Sequence, residues 1–228
     1  MKIDVNLCKK EGMYFFFPDG RVMDFSKERI QRLADEYWND PAKLPDNIRN
    51  HEAFKTCSVC PYQGQKVFCS AMKPLLPFLG EMEAFASHSI VAAVYVRCGQ
   101  VRYVPTIALQ YALGYVTNMA LLEYCEDAKA YHKYFRGIDP LMSMKEAAAR
   151  LFMNVFWLEN GDRVAVARTI REMYRTILVT TKSCVSRLNL MCRSDAFMNA
   201  YIVNEGLLWV LSSDMEGLLR EYFESYRR

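Results

Sequence analysis

Apolar and polar positions alternate early in the chain and recur at helical spacing later. Met13 to Phe17 is an aromatic, apolar run, and Arg21 to Phe25 alternates polar and apolar side chains, the pattern of a half-buried strand. Between them, Pro18-Asp19-Gly20 makes a turn, because proline presets φ and glycine takes φ > 0 at no steric cost. The two runs are expected to pair as a hairpin. Ser26 is placed to cap a helix from Lys27 to about Trp38, in which Ile30, Leu33, Ala34 and Tyr37 share a face. Asp40-Pro41 and Leu44-Pro45-Asp46 break that helix. A further helix is expected from Cys69 to about Phe85. A second hairpin is expected over Ile90 to Val104, with Gly99-Gln100 as its turn.

After Pro105 the pattern changes, and everything to Arg228 reads as helix with few Gly or Pro. Ser143 to Glu146 and Ser213 to Glu216 both have capping-box spacing. Gly161-Asp162 reads as one helix ending and another starting, the second running to about Leu190. The expected fold class is α+β. A small antiparallel sheet with a cysteine-rich loop occupies residues 1–104, and a bundle of about five helices occupies residues 105–228. No Pro/Gly/Ser-rich linker divides them, so a shared core or a wide interface is expected.

Composition narrows the class without naming an activity. The 228 residues are 52% apolar and 24% charged, which excludes disordered and low-complexity chains. A net charge of +3 is too small to announce a nucleic-acid or membrane protein. The most apolar stretch, Thr106 to Leu122, is interrupted by Gln110, Thr117 and Asn118, as a buried helix is. Charges stand near the N-terminus where a signal peptide needs an apolar run, so a cytoplasmic location is expected. The eight cysteines should then stay reduced, and a cluster among them reads as metal-binding or catalytic before it reads as disulfides.

Such a cluster is present. Cys57, Cys60 and Cys69 form Cys-x2-Cys-x8-Cys, with Pro61 stiffening the exit from the first pair and Gly64 letting the loop double back. Two thiolates two residues apart in a tight turn can face one ion, and soft thiolates suit zinc or a [4Fe–4S] cluster equally. Zinc loops often carry Gly and basic residues. This one is apolar and aromatic, with Phe54, Val59, Tyr62, Val67 and Phe68. Free cysteines that pack as small hydrophobes would show the same spacing. A fourth ligand is open among Cys8, Cys98, Cys125, His51 and His88.

These residues resemble a bacterial family of unknown function. Its motifs correspond here to Phe15-Phe16-Phe17-Pro18-Asp19-Gly20, to Cys57-x2-Cys60-Pro61 with Cys69 and Ala71, to Thr106, Leu109 and Gln110 leading to Cys125, and to Asn199-Ala200. The chain departs from it at Ser70 and Glu126, where the family carries proline. The resemblance implies Cys125 as the fourth ligand, and hence a metal that ties the α+β part to the bundle. It implies no activity.

Other features have ordinary readings. Arg168, Arg171, Arg175 and Lys182 fall within about 60° on one helix and form a basic stripe with Arg187 nearby. This is first a solvated face and second an anion-binding face for nucleic acid or an acidic partner. His132 among Tyr131, Lys133 and Tyr134 has no orienting partner, and Cys184 and Cys192 read as core. Phosphate loops, nucleophile elbows and zinc-protease helices are missing. The expected function is a non-catalytic, metal-stapled interaction or regulatory protein with a protein partner or a second copy of itself, and no membrane. The alternatives are an iron–sulfur redox protein and a nucleic-acid-associated protein.

Overall fold

The computed structural model describes residues 3–46, 48–49, 57–63, 69–213, 217, 220 and 224. Its N-terminal half carries a four-stranded antiparallel sheet and its C-terminal half most of the helix, a mixed α+β fold. The first hairpin pairs β1 (Gly12–Phe16) with β2 (Val22–Ser26), from Gly12 opposite Ser26 to Phe16 opposite Val22. Gly20 at φ +88° closes the turn, and Phe17 N donates to Arg21 O at 2.9 Å. The second hairpin pairs β3 (Ile90–Arg97) with β4 (Gln100–Ala108). Its turn residues are Cys98 and Gly99, both at positive φ, one position earlier than expected. Two consecutive residues at φ > 0 suit the right-handed twist of the flanking strands.

The sheet order is β2-β1-β3-β4, so β1 pairs on both sides and is buried along its whole length. β4 continues through Pro105, where the sequence reading ended the strand. Proline is tolerated there because β4 is an edge strand, and the β3–β4 register shifts between Val91 and Ala93 opposite it.

Helix α1 (Lys27–Asn39) starts where expected. Ser26 has extended N-cap geometry, but its side chain makes no capping bond. The expected helix from Cys69 to Phe85 does not form. In its place stand two 3-10 turns, Ser70–Met72 and Leu76–Phe78, and one α-turn, α2 (Leu79–Met82). Pro74 and Pro77 supply no amide donors and disrupt a continuous ladder.

The helical half begins with α3 (Leu109–Ala112), α4 (Gly114–Met119), a π-helical turn (Ala120–Tyr124) and a 3-10 segment (Ala128–Phe135). Three long helices follow: α5 (Met144–Leu158), α6 (Arg163–Met191) and α7 (Ala196–Ser213). Ser143 and Glu146 form the reciprocal capping box of α5, and Asp162 caps α6 by accepting from Val164 N and Ala165 N. The second expected box falls at 213–216, where residues 214–216 lie outside those described. Ser213 itself donates to Trp209 O within α7.

One buried apolar cluster runs through both halves. It includes Met13, Phe15, Phe25 and Phe78 from the sheet side and Leu109, Val116, Ile170 and Phe197 from the helices. Phe25 packs on Phe15 at 5.0 Å and on Phe78 at 4.4 Å between ring centroids. A smaller cluster of Cys8, Tyr14, Phe16, Ala92, Val94 and Val96 covers the other sheet face. Among the described residues, no helix is long and apolar enough to cross a membrane.

The turn between α6 and α7 is fastened to the N-terminal half. Ser87 donates its amide and its hydroxyl to the two oxygens of Asp195, each at 2.8 Å, and Ser194 Oγ donates to Phe85 O at 2.6 Å. Burial works to raise the Asp195 carboxyl, but the Ser87 donors outweigh it and hold the group below its ordinary range. A depressed carboxylate contributes stability above its unfolded pKa of about 3.9 and loses it as pH falls through the lower folded value. Asp195→Asn should therefore cost about 1 kcal/mol in urea melts at pH 7. The gap between variant and parent should close as the pH falls from 7 to below the carboxyl's lowered value. An equal gap at both pH values would show that the charge contributes nothing.

Candidate metal centre

The cysteine loop is built from successive tight turns. Cys60 N donates to Cys57 O at 3.0 Å, and Gln63 N to Cys60 O at 3.1 Å. Cys69 precedes the 3-10 turn 70–72, whose Met72 N donates back to Cys69 O at 2.9 Å. That turn packs against the π-helical segment Ala120–Tyr124, which ends at Cys125. None of these cysteines is in a disulfide; Cys57, Cys60 and Cys69 are half-buried and Cys125 is buried.

The thiols influence one another across three separate segments. Burial pushes Cys57 up to about 11, helped by the neighbouring Cys125, Cys60 and Cys69 thiols and opposed by the Arg187 guanidinium. Cys69 moves the other way, down to about 6. Its strongest support is a hydrogen bond from Cys184, with Arg187 and the Ala71 and Met72 amides adding to it against the effect of burial. Cys184 is raised in turn, so the pair holds Cys69 as thiolate and Cys184 as the S–H donor. Burial raises Cys125, while the Ala128 and Asp127 amides oppose it. The site thus presents one ready thiolate and further thiols that a soft cation would deprotonate. Among the described residues, no three His, Cys, Asp or Glu side chains converge closely enough to hold a single ion as they stand.

The other ligand candidates are elsewhere. Cys8 lies in the cluster on the far sheet face, Cys98 is exposed in the β3–β4 turn, and His88 is exposed near Asp195. His51 lies outside the described residues, as does Gly64. Cys192 is buried and donates to Leu79 O at 3.6 Å.

Sequence reasoning missed the partners on α6 and α7. It grouped Arg187 with the basic stripe, yet Arg187 is only 2% exposed. The five residues from Lys182 turn the helix by about 140°, which carries Arg187 off the exposed face. Arg168, Arg171, Arg175 and Lys182 are exposed, and none has an ion pair among the described residues. Thr181, Cys184 and Arg187 recur every three residues along a buried stripe. A charged residue in that register is the signal that could have placed Arg187 inside.

A cavity of about 530 Å³ opens on the other side of the π-helical turn. Glu11, Tyr95, Arg97, Tyr115, His132 and Arg136 are among its walls. Lys27 and Glu123 pair there at 3.1 Å. Leu122 and Glu123 belong to this wall and lie just before Cys125 in the chain.

Comparison with models of known families, with curated proteins and with solved structures found no match to this chain.

Proposed function

We propose that Cys57, Cys60, Cys69 and Cys125 hold one thiolate-bound metal centre. It staples the cysteine loop to the helical half of a protein that works by interaction or regulation. One observation carries this reading: the Cys57 thiol is perturbed at once by Cys60 in its own turn, by Cys69 before the next turn, and by Cys125 from the helical half. Cys125 lies 68 residues beyond Cys57 in the chain, yet its charge reaches the Cys57 thiol, and metal binding would draw these sulfurs together.

A [4Fe–4S] cluster suits the site better than zinc. The donors are sulfur alone, the surroundings are largely apolar, and Pro61 follows Cys60 as proline follows cysteine in bacterial cluster motifs. A buried guanidinium also stands near the sulfurs, where an anionic cluster needs a counter-charge. Apolar side chains left exposed on the long helices, Met153, Trp157, Leu158, Val164 and Trp209, support a protein partner or a second copy of the chain. A nucleic-acid partner is a second reading, favoured by the four exposed cations of α6 that have no ion pair among the described residues.

Anaerobic purification of the full chain with iron, sulfide and zinc analysis tests the reading. About four irons per chain and a broad visible absorbance bleached by dithionite are expected. One zinc in a colourless protein would leave the staple and remove the cluster. A chain that takes up neither metal would remove both.

A further inference from the structure

The cavity beside the π-helical turn has the size, charge and lining of a small-molecule site, and the metal centre does not use it. At about 530 Å³ it falls within the roughly 300–1,000 Å³ typical of pockets that bury a small ligand. Its walls come from the start of β1, the end of β3, the start of α1, the stretch from Tyr115 through the π-helical turn, and the segment from His132 to Pro140. π-helical turns are rare and recur at functional sites, and this one sets Leu122 and Glu123 in the wall.

The floor is aromatic and apolar, and the rim is charged. Tyr95 and Arg97 stand two apart on β3, so both face the helical side of the sheet. The Tyr95 and Tyr115 rings lie 5.6 Å apart between centroids, and the buried Met119 and Leu122 line the same space. Burial pushes the Tyr115 phenol up, which keeps its O–H available as a donor. Arg97 and Arg136 are exposed at the rim. Lys27 pairs with Glu123 at 3.1 Å, and Glu11 accepts from Cys98 N at 2.7 Å. No ion pair reaches Arg97 or Arg136 among the described residues. Apart from His132, the described walls hold Lys27, Arg97 and Arg136 against Glu11 and Glu123, a surplus of one positive charge.

We infer that this cavity binds a small organic monoanion: an aromatic carboxylate, with its ring against Tyr95 and Tyr115 and its head at Arg97 and Arg136. A guanidinium presents a fork of N–H donors that matches a carboxylate. One carboxylate neutralises the surplus charge. A phosphate dianion would overshoot it beside Glu11 and Glu123, and an uncharged ring would leave it uncompensated. A ring placed among aromatic walls gains buried area and stacked or edge-to-face contacts. The inference stands independently of the metal centre, because none of the proposed ligands lines the cavity.

Equilibrium dialysis of the full chain against naphthylacetate tests it. One saturable equivalent per chain is expected, with naphthylethanol about tenfold weaker or more, and naphthyl phosphate also weaker than the carboxylate. Arg97→Gln and Arg136→Gln should each weaken uptake about tenfold, and Tyr115→Phe about threefold. Arg168→Gln, on the exposed face of α6, should bind as the parent does. The inference is overturned if the parent shows no saturable uptake, as it would if Glu52, Asp214, Glu216 or Glu221, which lie outside the described residues, already neutralised the two arginines. It is overturned equally if the alcohol or the phosphate binds as tightly as the carboxylate, or if the two arginine variants bind as tightly as Arg168→Gln. If one arginine variant fails to fold, the other and Tyr115→Phe decide, and unchanged uptake in both overturns the inference.

Discussion

Gly12→Ala should cost the fold about 3–5 kcal/mol, the sum of backbone strain and overpacking. Gly12 sits at φ +139°, a conformation that side chains rarely adopt. An added Cβ would lie 2.4 Å from Ser26 Cα, 2.6 Å from Phe25 O and 2.9 Å from Lys27 N. All three neighbours are backbone, so no side chain can swing away. The β1–β2 pairing would have to open at its Gly12–Ser26 end, where α1 also begins. Native domains are stable by about 5–15 kcal/mol, so the variant should show a large fall in its urea midpoint or lose cooperative unfolding. Gly20→Ala is the control. Gly20 has φ +88° but open space around it, so only the conformational cost of about 1–2 kcal/mol applies. Equal losses in the two variants would mean that the close approach at Gly12 does not matter.

The double variant Cys57→Ala with Cys69→Ala should bring metal content to background while leaving the helical signal intact. One substitution removes the thiol that feels the other three, and the second removes the thiol that its donors hold down to about 6. The buried cluster that joins both halves does not depend on the loop, so the fold should persist without its metal. Metal should stabilise the parent over the chelated chain by RT ln(1 + [M]/Kd), about 4 kcal/mol at a thousandfold excess over Kd. The double variant should show no difference with and without metal. Cys8→Ala and Cys98→Ala serve as controls, because both residues lie away from the site, and they should keep full metal. Stoichiometric metal in the double variant would place the ligands elsewhere.

Local chemistry was legible wherever a short stretch decides the outcome. Pro18-Asp19-Gly20 announced one turn, Ser143 and Glu146 one helix start, and Asp162 another. The second hairpin was also legible, but Cys98 at φ +48° moved its turn by one residue, because a non-glycine accepts that conformation here. The expected helix over 69–85 failed where Pro74 and Pro77 outweigh the apolar periodicity. Strand β4 ran past Pro105 because only an edge strand can spare that amide, and edge position is a property of the assembled sheet.

At the site, spacing alone pointed to Cys57, Cys60 and Cys69, while Cys125 came from the motif resemblance. In the structure the Cys57 thiol feels Cys60, Cys69 and Cys125, and the Cys125 thiol feels Cys69. Cys184 was read as ordinary core, and it is buried, but its bond to Cys69 joins residues 115 apart in the chain and is set by tertiary packing. Arg187 was misplaced because a basic residue among other basic residues was read by its neighbours in sequence. Its rotation around a 29-residue helix decides its side.

The adjacency of β1 and β3 has a consequence for synthesis on the ribosome. Between Phe16, where β1 ends, and Ile90, where β3 begins, lie 73 residues that include the whole cysteine loop. At about 5–20 residues per second, the first hairpin waits about 4–15 s before its neighbour is even made. During that interval one edge of β1, a strand of Met13, Tyr14, Phe15 and Phe16, is left unpaired, the kind of edge that recruits other nascent chains. Chaperone demand should therefore concentrate on the first ninety or so residues, and slowing translation through the cysteine loop should prolong it.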